Sequence, residues 1–429
     1  MSWFWRIVAA CLGTLVTLVL LVWALGVRDR GDSVTPAAVD AVETATLTTQ
    51  GAYLARAGNC MACHTRRGGP AFAGGRAIAT PFGDVLSSNL TPDMQSGLGR
   101  WNAADFWRAM HHGRSRDGRL LSPAFPYASY TRLARADSDA LFAYLQSLPA
   151  VAQANQPQRV RWPFNTQAAL AVWRALYFRS ARFVPQADKG TEWNRGAYLV
   201  QVLGHCNECH AQRNSLGAVD AARPLAGGMM PMQNWYAPSL RSPLEAGVAD
   251  WAQSEVVEFL SAGRSARGTA IGPMAEVVLH STQYLSATDR AAIAVYLRGL
   301  PQDGRPGGTA APVTVDAASV RRGAKLYERH CQDCHGVNGQ GIAGAYPALA
   351  GNRAVQMANA TNLVQVLLWG GFSPATAANP RPYGMPPYQV LLSEREMTDV
   401  LNTIRNAWGN QAGNLTERDV ARYRDPGGR

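Results

Sequence analysis

The chain has 429 residues, of which 47% are hydrophobic, and its formal net charge is +11. This length predicts about two to four globular domains and excludes a single small core. The positive charge comes almost entirely from scattered arginines, since Lys189 and Lys325 are the only lysines. No basic stripe carries interleaved aromatic residues, so the composition argues against nucleic-acid binding and favours a solvated arginine surface, with an acidic protein partner as the alternative.

The first predicted element is an apolar helix at the N-terminus. Residues 7–27 form a run of 21 without a charge, and as a helix they are about 31 Å long, enough to cross a bilayer core of about 30 Å. The apolar region of a cleaved signal peptide is usually about 7 to 15 residues long, so we expect an uncleaved anchor, with a removed leader as the alternative. Arg6 and Arg28 lie on opposite sides of the run and do not orient it.

Six of the seven cysteines form three identical C-x-x-C-H motifs, and the seventh, Cys11, lies in the apolar run. This pattern is the attachment site of c-type haem, in which two thiols add to the porphyrin vinyl groups and the adjacent histidine ligates the iron. A zinc site closes four ligands into a tetrahedron, and a redox dithiol sits in a βαβ setting that the sequence does not show. We therefore predict three covalently bound haem c groups, held by Cys60, Cys63 and His64, by Cys206, Cys209 and His210, and by Cys331, Cys334 and His335.

The residues around the motifs repeat as well. Each motif follows a predicted helix, and the first two repeats close with a helix that ends at Pro149 or Pro301. Between these, a helix runs from Trp101 to Gly113 and, in the second repeat, over the same distance from Trp251 to Gly263. The fold class predicted is all-α, an N-terminal transmembrane helix followed by three cytochrome c domains. The predicted boundaries are the membrane anchor at 1–30, domain 1 at 46–150, a linker with a helix at 151–188, domain 2 at 189–301, a second linker at 302–317, domain 3 at 318–409 and a polar tail at 410–429.

Each haem iron has a second axial position, and a methionine there favours the ferrous state and raises the potential. Met274 in GPMAEVV and Met385 in YGMPPY follow the second helix of their repeats beside Gly and Pro. We predict that they ligate the second and third irons and that Met229, Met230, Met232, Met357 and Met397 fill cores, while Met94 or Met110 stays open as a ligand of the first iron. The ligating histidines need an acceptor for the other ring nitrogen, commonly a backbone carbonyl; the loops at 87–93, 236–240 and 346–351 are suitably placed, with Leu90, Leu240 and Leu349 as apolar cover for the porphyrin.

Together with the three haem motifs, the segments TPFGDVLSSNLTPD, DGRLLSPAFPY, GGMMPMQNWYAPSL and GPMAEVV carry a family resemblance. From about residue 50 to 409, the chain resembles the membrane-bound triple-haem cytochrome c subunits of bacterial alcohol, gluconate and aldehyde dehydrogenases. The resemblance implies a non-catalytic electron-transfer subunit that takes electrons from a catalytic dehydrogenase subunit of quinoprotein, flavoprotein or molybdenum type and delivers them to ubiquinone. It also implies a single-pass protein of the bacterial inner membrane with its haem domains in the periplasm. A related role is that of cytochrome partner of a molybdenum hydroxylase.

The first repeat departs from this family, whose members commonly have a methionine where this chain has Phe125. A phenyl ring has no lone pair, so the first iron is five-coordinate or takes another ligand. His111 and His112 at the end of the preceding helix are the axial candidates, although two histidines in a last turn also suit the helix dipole. An open first iron would permit a peroxidase-like enzyme, and a terminal-oxidase subunit is a further alternative.

Overall fold

The computed structural model describes residues 2–28, 41–303 and 316–424. These residues form two compact units. The first unit holds the described residues up to Pro185 together with Gln201–His205 and Asn214–Ala218, and the second holds Gln186–Val200, Cys206–Arg213 and the described residues from Val219 onward. Most of the predicted linker at 302–317 lies outside the described residues.

The N-terminal apolar run forms a single helix, α1 (Ser2–Arg28). Within the described residues, it is the one helix whose length and composition suit a membrane span, which covers Trp3–Leu20. None of that span is buried against the rest of the chain. A signal sequence near the N-terminus has the same properties, so anchor and leader are both compatible with this helix.

The first repeat is built on two crossing helices. Its elements are α2 (Ala41–Ala57), α3 (Cys60–His64), β1 (Ala77–Thr80), β2 (Gly83–Leu86), α4 (Ala103–His112), α5 (Tyr127–Tyr130) and α6 (Arg135–Gln146), and α2 packs against α6. At the start of α4, Asn102 and Asp105 form a reciprocal capping box. The helix ends at Gly113, whose φ of 60° is a left-handed conformation that glycine adopts without steric cost.

Residues 151–188, predicted as a linker with a helix, fold onto the first repeat. They contain β3 (Arg159–Val160), which pairs with β2 in an antiparallel β1-β2-β3 sheet, and α7 (Gln167–Tyr177). The Gln167 side chain accepts a hydrogen bond from Leu120 N at 2.7 Å and donates one to Leu120 O at 3.2 Å. The linker helix therefore packs within the chain, and it also contacts α1.

The middle repeat has the same plan. Its elements are α8 (Thr191–Tyr198) with a π-helical continuation (Leu199–Leu203), α9 (Asn207–His210), β4 (Gly228–Met230), β5 (Trp235–Ala237), α10 (Gln253–Ala262), β6 (Arg264–Ser265), β7 (Gly268–Thr269), α11 (Gly272–His280), a 3-10 turn (Thr282–Tyr284) and α12 (Ala287–Arg298). Here α8 packs against α12. As α4 does in the first repeat, α10 ends at a glycine of positive φ, Gly263 at 72°.

The third repeat encloses a well-defined apolar core. Its elements are α13 (Ala317–His330), α14 (Gln332–His335), α15 (Arg353–Gln356), α16 (Thr361–Trp369), β8 (Gly371–Phe372), β9 (Gly384–Met385), α17 (Glu394–Asn406) and α18 (Glu417–Arg424). The last helix lies in the segment predicted as a polar tail, but Val420 and Tyr423 are buried in the core. The sequence reads as polar because only one face of α18 is apolar, and these two residues, three positions apart, share that face.

In each repeat the first helix crosses a later helix at a glycine: α2 crosses α6, α8 crosses α12 and α13 crosses α17. A Cβ atom added to Gly51, Gly196 or Gly323 would lie 1.9, 2.0 or 2.0 Å from a carbonyl oxygen of the partner helix. The residue before each glycine forms hydrogen bonds with an aspartate of the partner helix. These pairs are Gln50 with Asp137, Arg195 with Asp289 and Arg322 with Asp399. The same helix frame thus holds all three C-x-x-C-H motifs. The strands of the described residues, which the sequence barely signalled, are short antiparallel pairs within the loops.

Candidate haem sites

Each C-x-x-C-H motif ends in a short helix: α3 contains the whole first motif, whereas α9 and α14 begin one residue after Cys206 and Cys331. The motif helices α3, α9 and α14 contain no fully buried residue. All seven cysteines of the chain are free thiols. Of the six predicted attachment cysteines, Cys63 is exposed and the other five are half-buried.

Each of the three motif histidines forms a hydrogen bond between its Nδ1 atom and a backbone carbonyl oxygen. Nδ1 of His64, His210 and His335 lies 2.8, 2.7 and 3.0 Å from the backbone carbonyl oxygens of Ser88, Pro238 and Pro347, respectively. A carbonyl oxygen only accepts, so Nδ1 must carry the hydrogen and donate, which leaves the lone pair on Nε2 to bind a metal. The expectation that the loops at 87–93, 236–240 and 346–351 supply these acceptors is confirmed.

Two further backbone hydrogen bonds recur around each histidine. Its carbonyl oxygen accepts from the N–H of Gly74, Gly227 or Gly341, at 2.8 Å in each case. The leucine two positions after the acceptor residue donates its N–H to a residue of positive φ: Leu90 to Phe72, Leu240 to Leu225 and Leu349 to Gly339, at 2.8, 2.9 and 2.7 Å. Positive φ is costly for Phe72 and Leu225, so the surrounding structure must impose it. The imidazole, the acceptor loop and the half-buried leucine form one repeated cradle.

Burial sets the electrostatics of the motifs. It raises the pKa of the Cys60 and Cys206 thiols to about 12 and that of Cys331 to about 11, and the second cysteine of each motif adds to the rise. A reactive dithiol needs a lowered pKa, so these shifts have the wrong direction for disulfide exchange. Burial also lowers the pKa of the three motif histidines, against the smaller opposing effect of the carbonyl bond, which favours the neutral imidazole that ligates metals.

The predicted methionine ligands lie in different elements, Met274 in α11 and Met385 in β9. Met385 packs against the third core, as the attachment cysteine Cys331 and the predicted cover residue Leu349 also do. Met274 is the third residue of α11 and is half-buried. Their ligation of iron stays a prediction.

In the first repeat, the candidate ligands have different surroundings. His111 and His112 are buried at 6% and 8% exposure, while Phe125 is half-buried in the loop before α5. Met110 is a buried core residue at 6% exposure and Met94 is exposed at 58%. The structure thus brings neither methionine forward as a ligand in the first repeat. Of the methionines predicted to fill cores, Met357 and Met397 are buried, but the prediction was wrong for Met229 and Met232, which the β4–β5 hairpin leaves exposed.

A polar clasp within the second unit joins the middle and third repeats. Asn362 of α16 donates to Tyr236 O at 2.7 Å and accepts from Tyr236 N at 2.9 Å, and Gln365 donates to Asn234 O at 2.8 Å. Arg353 binds Asp250 and, at 2.7 Å, Gly247 O. Sequence analysis missed this clasp because its partners are more than 100 positions apart, as the 126 positions between Tyr236 and Asn362 illustrate.

The residues present fit haem c at each motif. The thiols are free, Nε2 of the histidine is available for iron, and an apolar residue covers one side of the cavity. In the described ranges, no three His, Cys, Asp or Glu side chains converge as they would around a metal ion such as zinc. Two thiols and one imidazole in each motif are the groups that attachment of c-type haem uses.

Comparison with known proteins gives the same assignment. The family model for cytochrome c matches residues 48–149 and 320–408. The chain is 39% identical over 398 residues to the cytochrome c subunit of alcohol dehydrogenase (quinone) of Gluconacetobacter polyoxogenes, covering 89% of this chain and 85% of the relative. It is 36% identical over 397 residues to the gluconate 2-dehydrogenase cytochrome c subunit of Pantoea cypripedii, covering 88% of this chain and 89% of the relative.

A further relative is a nicotinate dehydrogenase subunit of Pseudomonas putida, which is 39% identical over 412 residues, covering 94% of this chain but 34% of the relative. These similarities extend across all three motifs at high coverage. The chain therefore belongs to the family of cytochrome c subunits that serve dehydrogenases such as quinone alcohol dehydrogenase and gluconate 2-dehydrogenase.

Proposed function

We propose that this chain carries three covalently bound haem c groups and transfers electrons from a catalytic dehydrogenase subunit to ubiquinone. The observation that carries the proposal is the cradle repeated at His64, His210 and His335, with the same three hydrogen bonds around each imidazole. Haem c, when bound, supplies one-electron oxidation and reduction. The chain's own residues attach the porphyrin, fix the proximal imidazole and hold the repeats in place.

The frame suits electron transfer because it is rigid where the motifs sit. In each repeat the motif directly follows the first helix, which is locked to a later helix at a glycine crossing. The clasp between Tyr236 and Asn362 fixes the middle repeat to the third within the second unit. A fixed separation between redox centres is what a relay needs, since reorganisation of the protein is then small.

Two observations support the proposed transfer of electrons to ubiquinone, the N-terminal helix and the names of the relatives. α1 suits a span of the bilayer, and the relatives with high coverage include one named alcohol dehydrogenase (quinone). Covalent haem attachment takes place outside the cytoplasm, so the proposed orientation places the haem repeats in the periplasm, with one pass through the inner membrane.

The donor is proposed to be a catalytic subunit of quinoprotein, flavoprotein or molybdenum type. Relatives named for alcohol and gluconate oxidation support an alcohol or sugar-acid dehydrogenase. The relative named for nicotinate dehydrogenase aligns over 94% of this chain, which makes a hydroxylase acting on a nitrogen heterocycle the second candidate. A peroxidase-like enzyme or a terminal-oxidase subunit would instead be active without such a partner.

The test starts from detergent-extracted native membranes. The chain is purified by affinity, its haem content is measured as the pyridine haemochrome, and the copurifying proteins are identified. We expect three haems per chain and a larger catalytic protein, and the complex should reduce a soluble ubiquinone analogue with the substrate of that protein. The double variant Cys206→Ala, Cys209→Ala should lose one haem and the quinone reduction, whereas Cys11→Ser, outside the motifs, should keep both.

Two results would overturn the proposal. One is substrate oxidation by the chain purified alone. The other is ubiquinone reduction by the catalytic partner at an unchanged rate in the absence of this chain.

A further inference from the structure

The loop that holds Phe125 occupies the same place in its repeat as the loops that hold Met274 and Met385. The preceding helix ends in each case at a glycine of positive φ, Gly113, Gly263 or Gly370, at 60°, 72° and 67°. An antiparallel pair follows, Arg114 with Leu120, Arg264 with Thr269 and Gly371 with Met385. Phe125 comes five positions after Leu120, and Met274 comes five positions after Thr269. The phenyl ring therefore stands at the register where the middle repeat presents the Met274 thioether, while Met385 of the third repeat lies in the antiparallel pair itself.

A second observation ties this loop to the first motif. The Phe125 ring centroid lies 5.6 Å from that of Tyr130, whose hydroxyl lies 3.4 Å from Gly58 O, two residues before Cys60. In the third repeat Tyr388, close to Met385, donates to His330 O at 2.7 Å, one residue before Cys331. In both repeats, a tyrosine of the distal loop thus anchors the loop to the chain that enters the motif. Phe125 belongs to the first haem cavity on this evidence.

The histidines that the sequence offered as replacement ligands hold other positions. Nε2 of His111 lies 3.2 Å from Ser180 Oγ, and its ring stacks on Trp107 at a centroid distance of 4.4 Å and an interplanar angle of 16°. The ring of His112 meets that of His111 edge-on at 4.6 Å, and its carbonyl oxygen accepts a hydrogen bond from Arg174 of α7. The hydrogen bonds with Ser180 and Arg174 fasten α4 to the segment around α7, and the two ring contacts lie within α4. Ligation of iron by His111 would break the stack and the Ser180 bond at a buried site.

We propose that the first haem iron has no side-chain ligand on its distal side and binds small π-accepting ligands such as carbon monoxide, with Phe125 and Tyr130 as the aromatic wall of the pocket. The inference rests on the proposed function in one respect, the presence of a haem at Cys60 and Cys63. The second and third irons, with Met274 and Met385, are closed to such ligands. A methionine ligand raises a haem potential, so the first haem is also expected to have the lowest potential of the three.

The experiment uses the full-length, detergent-solubilised holoprotein with its haem content verified first as the pyridine haemochrome. The reduced protein is titrated with carbon monoxide, and the ferric protein is examined by electron paramagnetic resonance. We expect about one carbon monoxide per chain and a high-spin signal from about one haem in three, since an iron with one strong axial ligand keeps an open site.

Two variants change the candidate methionine ligands in opposite ways, one by adding a methionine and one by removing it. Phe125→Met should abolish carbon monoxide binding and the high-spin signal, and it should raise the potential of that haem. Met385→Phe, the matched substitution in the third repeat, should add a second binding site to about two per chain. His111→Ala and His112→Ala should leave the ferric spectrum of the haems unchanged.

The possible failures are distinguishable. A haem content below three contradicts the proposed function and not this inference. Three low-spin haems with no carbon monoxide binding overturn the inference, and a high-spin signal that appears only in His111→Ala or His112→Ala then assigns the ligand to that histidine. Carbon monoxide binding that persists in Phe125→Met would show that Phe125 does not lie on the distal side of the first haem. If Phe125→Met fails to fold, Met385→Phe still tests whether loss of the methionine at this place opens an iron to carbon monoxide.

Discussion

The crossing of α8 and α12 makes Gly196 the position where one methyl group should have the largest effect. A Cβ atom at Gly196 would lie 2.0 Å from Ala292 O and 2.8 Å from the Tyr296 Cβ atom, whereas ordinary contacts begin at 3.4 Å. In Gly196→Ala the helices must separate by about 1.4 Å (3.4 − 2.0). The two Arg195–Asp289 hydrogen bonds, each 2.8 Å long, would then exceed hydrogen-bonding distance.

The free energy of unfolding should fall by about 2 to 3 kcal/mol. Overpacking costs about 1 to 3 kcal/mol, and weakening the two hydrogen bonds costs about 1 kcal/mol or more. The better helix propensity of alanine returns about 1 kcal/mol. For a domain of this size such a loss lowers Tm by roughly 10 °C or more.

The assay is scanning calorimetry of the holoprotein in detergent, followed in parallel by the Soret absorption. Gly268→Ala in the β6–β7 turn is the matched control, because a Cβ atom there meets nothing within 4 Å. We expect the control to stay within about 0.5 kcal/mol of the native chain, as surface substitutions usually do. A Gly196→Ala protein as stable as the control would refute the close crossing of α8 and α12. Such a result would mean that the added methyl group meets no steric clash.

Three further changes test other parts of the structure. Asn362→Ala leaves Tyr236 N and O without their partners, and we expect a loss of about 2 kcal/mol in guanidinium unfolding of the second unit; an unchanged midpoint would show that the clasp is not formed. The hydrogen bond from Arg353 lowers the pKa of Asp250, so the pair stabilises the fold above the usual carboxyl pKa of about 3.9 and is lost as the pH falls through the lowered pKa. Asp250→Asn should therefore reduce stability at neutral pH and remove that part of the acid dependence, and identical acid-unfolding curves would contradict it. Replacing residues 2–28 with a cleavable export signal should release the haem protein from washed membranes made without its catalytic partner, whereas retention would reveal a second membrane contact.

Local signals in the sequence predicted most of the frame. The C-x-x-C-H motifs place thiols and imidazole on one helical turn, and this geometry needs no distant residue. The helices α4 and α10 were predicted from the spacing of Trp101 to Gly113 and Trp251 to Gly263, because a left-handed glycine ends each helix. The local pattern of α18, by contrast, predicted only a polar tail, because it does not show that Val420 joins a core formed by residues between Tyr327 and Ile404.

The sequence by itself determined that three haem motifs lie in repeated helical surroundings behind an apolar N-terminal helix, because spacing and periodicity are local properties of the chain. The tertiary structure alone decided which carbonyl meets each imidazole, how the middle repeat is joined to the third, and that His111 stacks on Trp107 and contacts Ser180. These contacts join residues that are distant in sequence, or depend on which rotamer the packing permits, and no local pattern encodes either. For the first haem, the sequence shows a phenylalanine, Phe125, where the family commonly has a methionine. The tertiary structure shows that the neighbouring His111 is held by its contacts with Trp107 and Ser180.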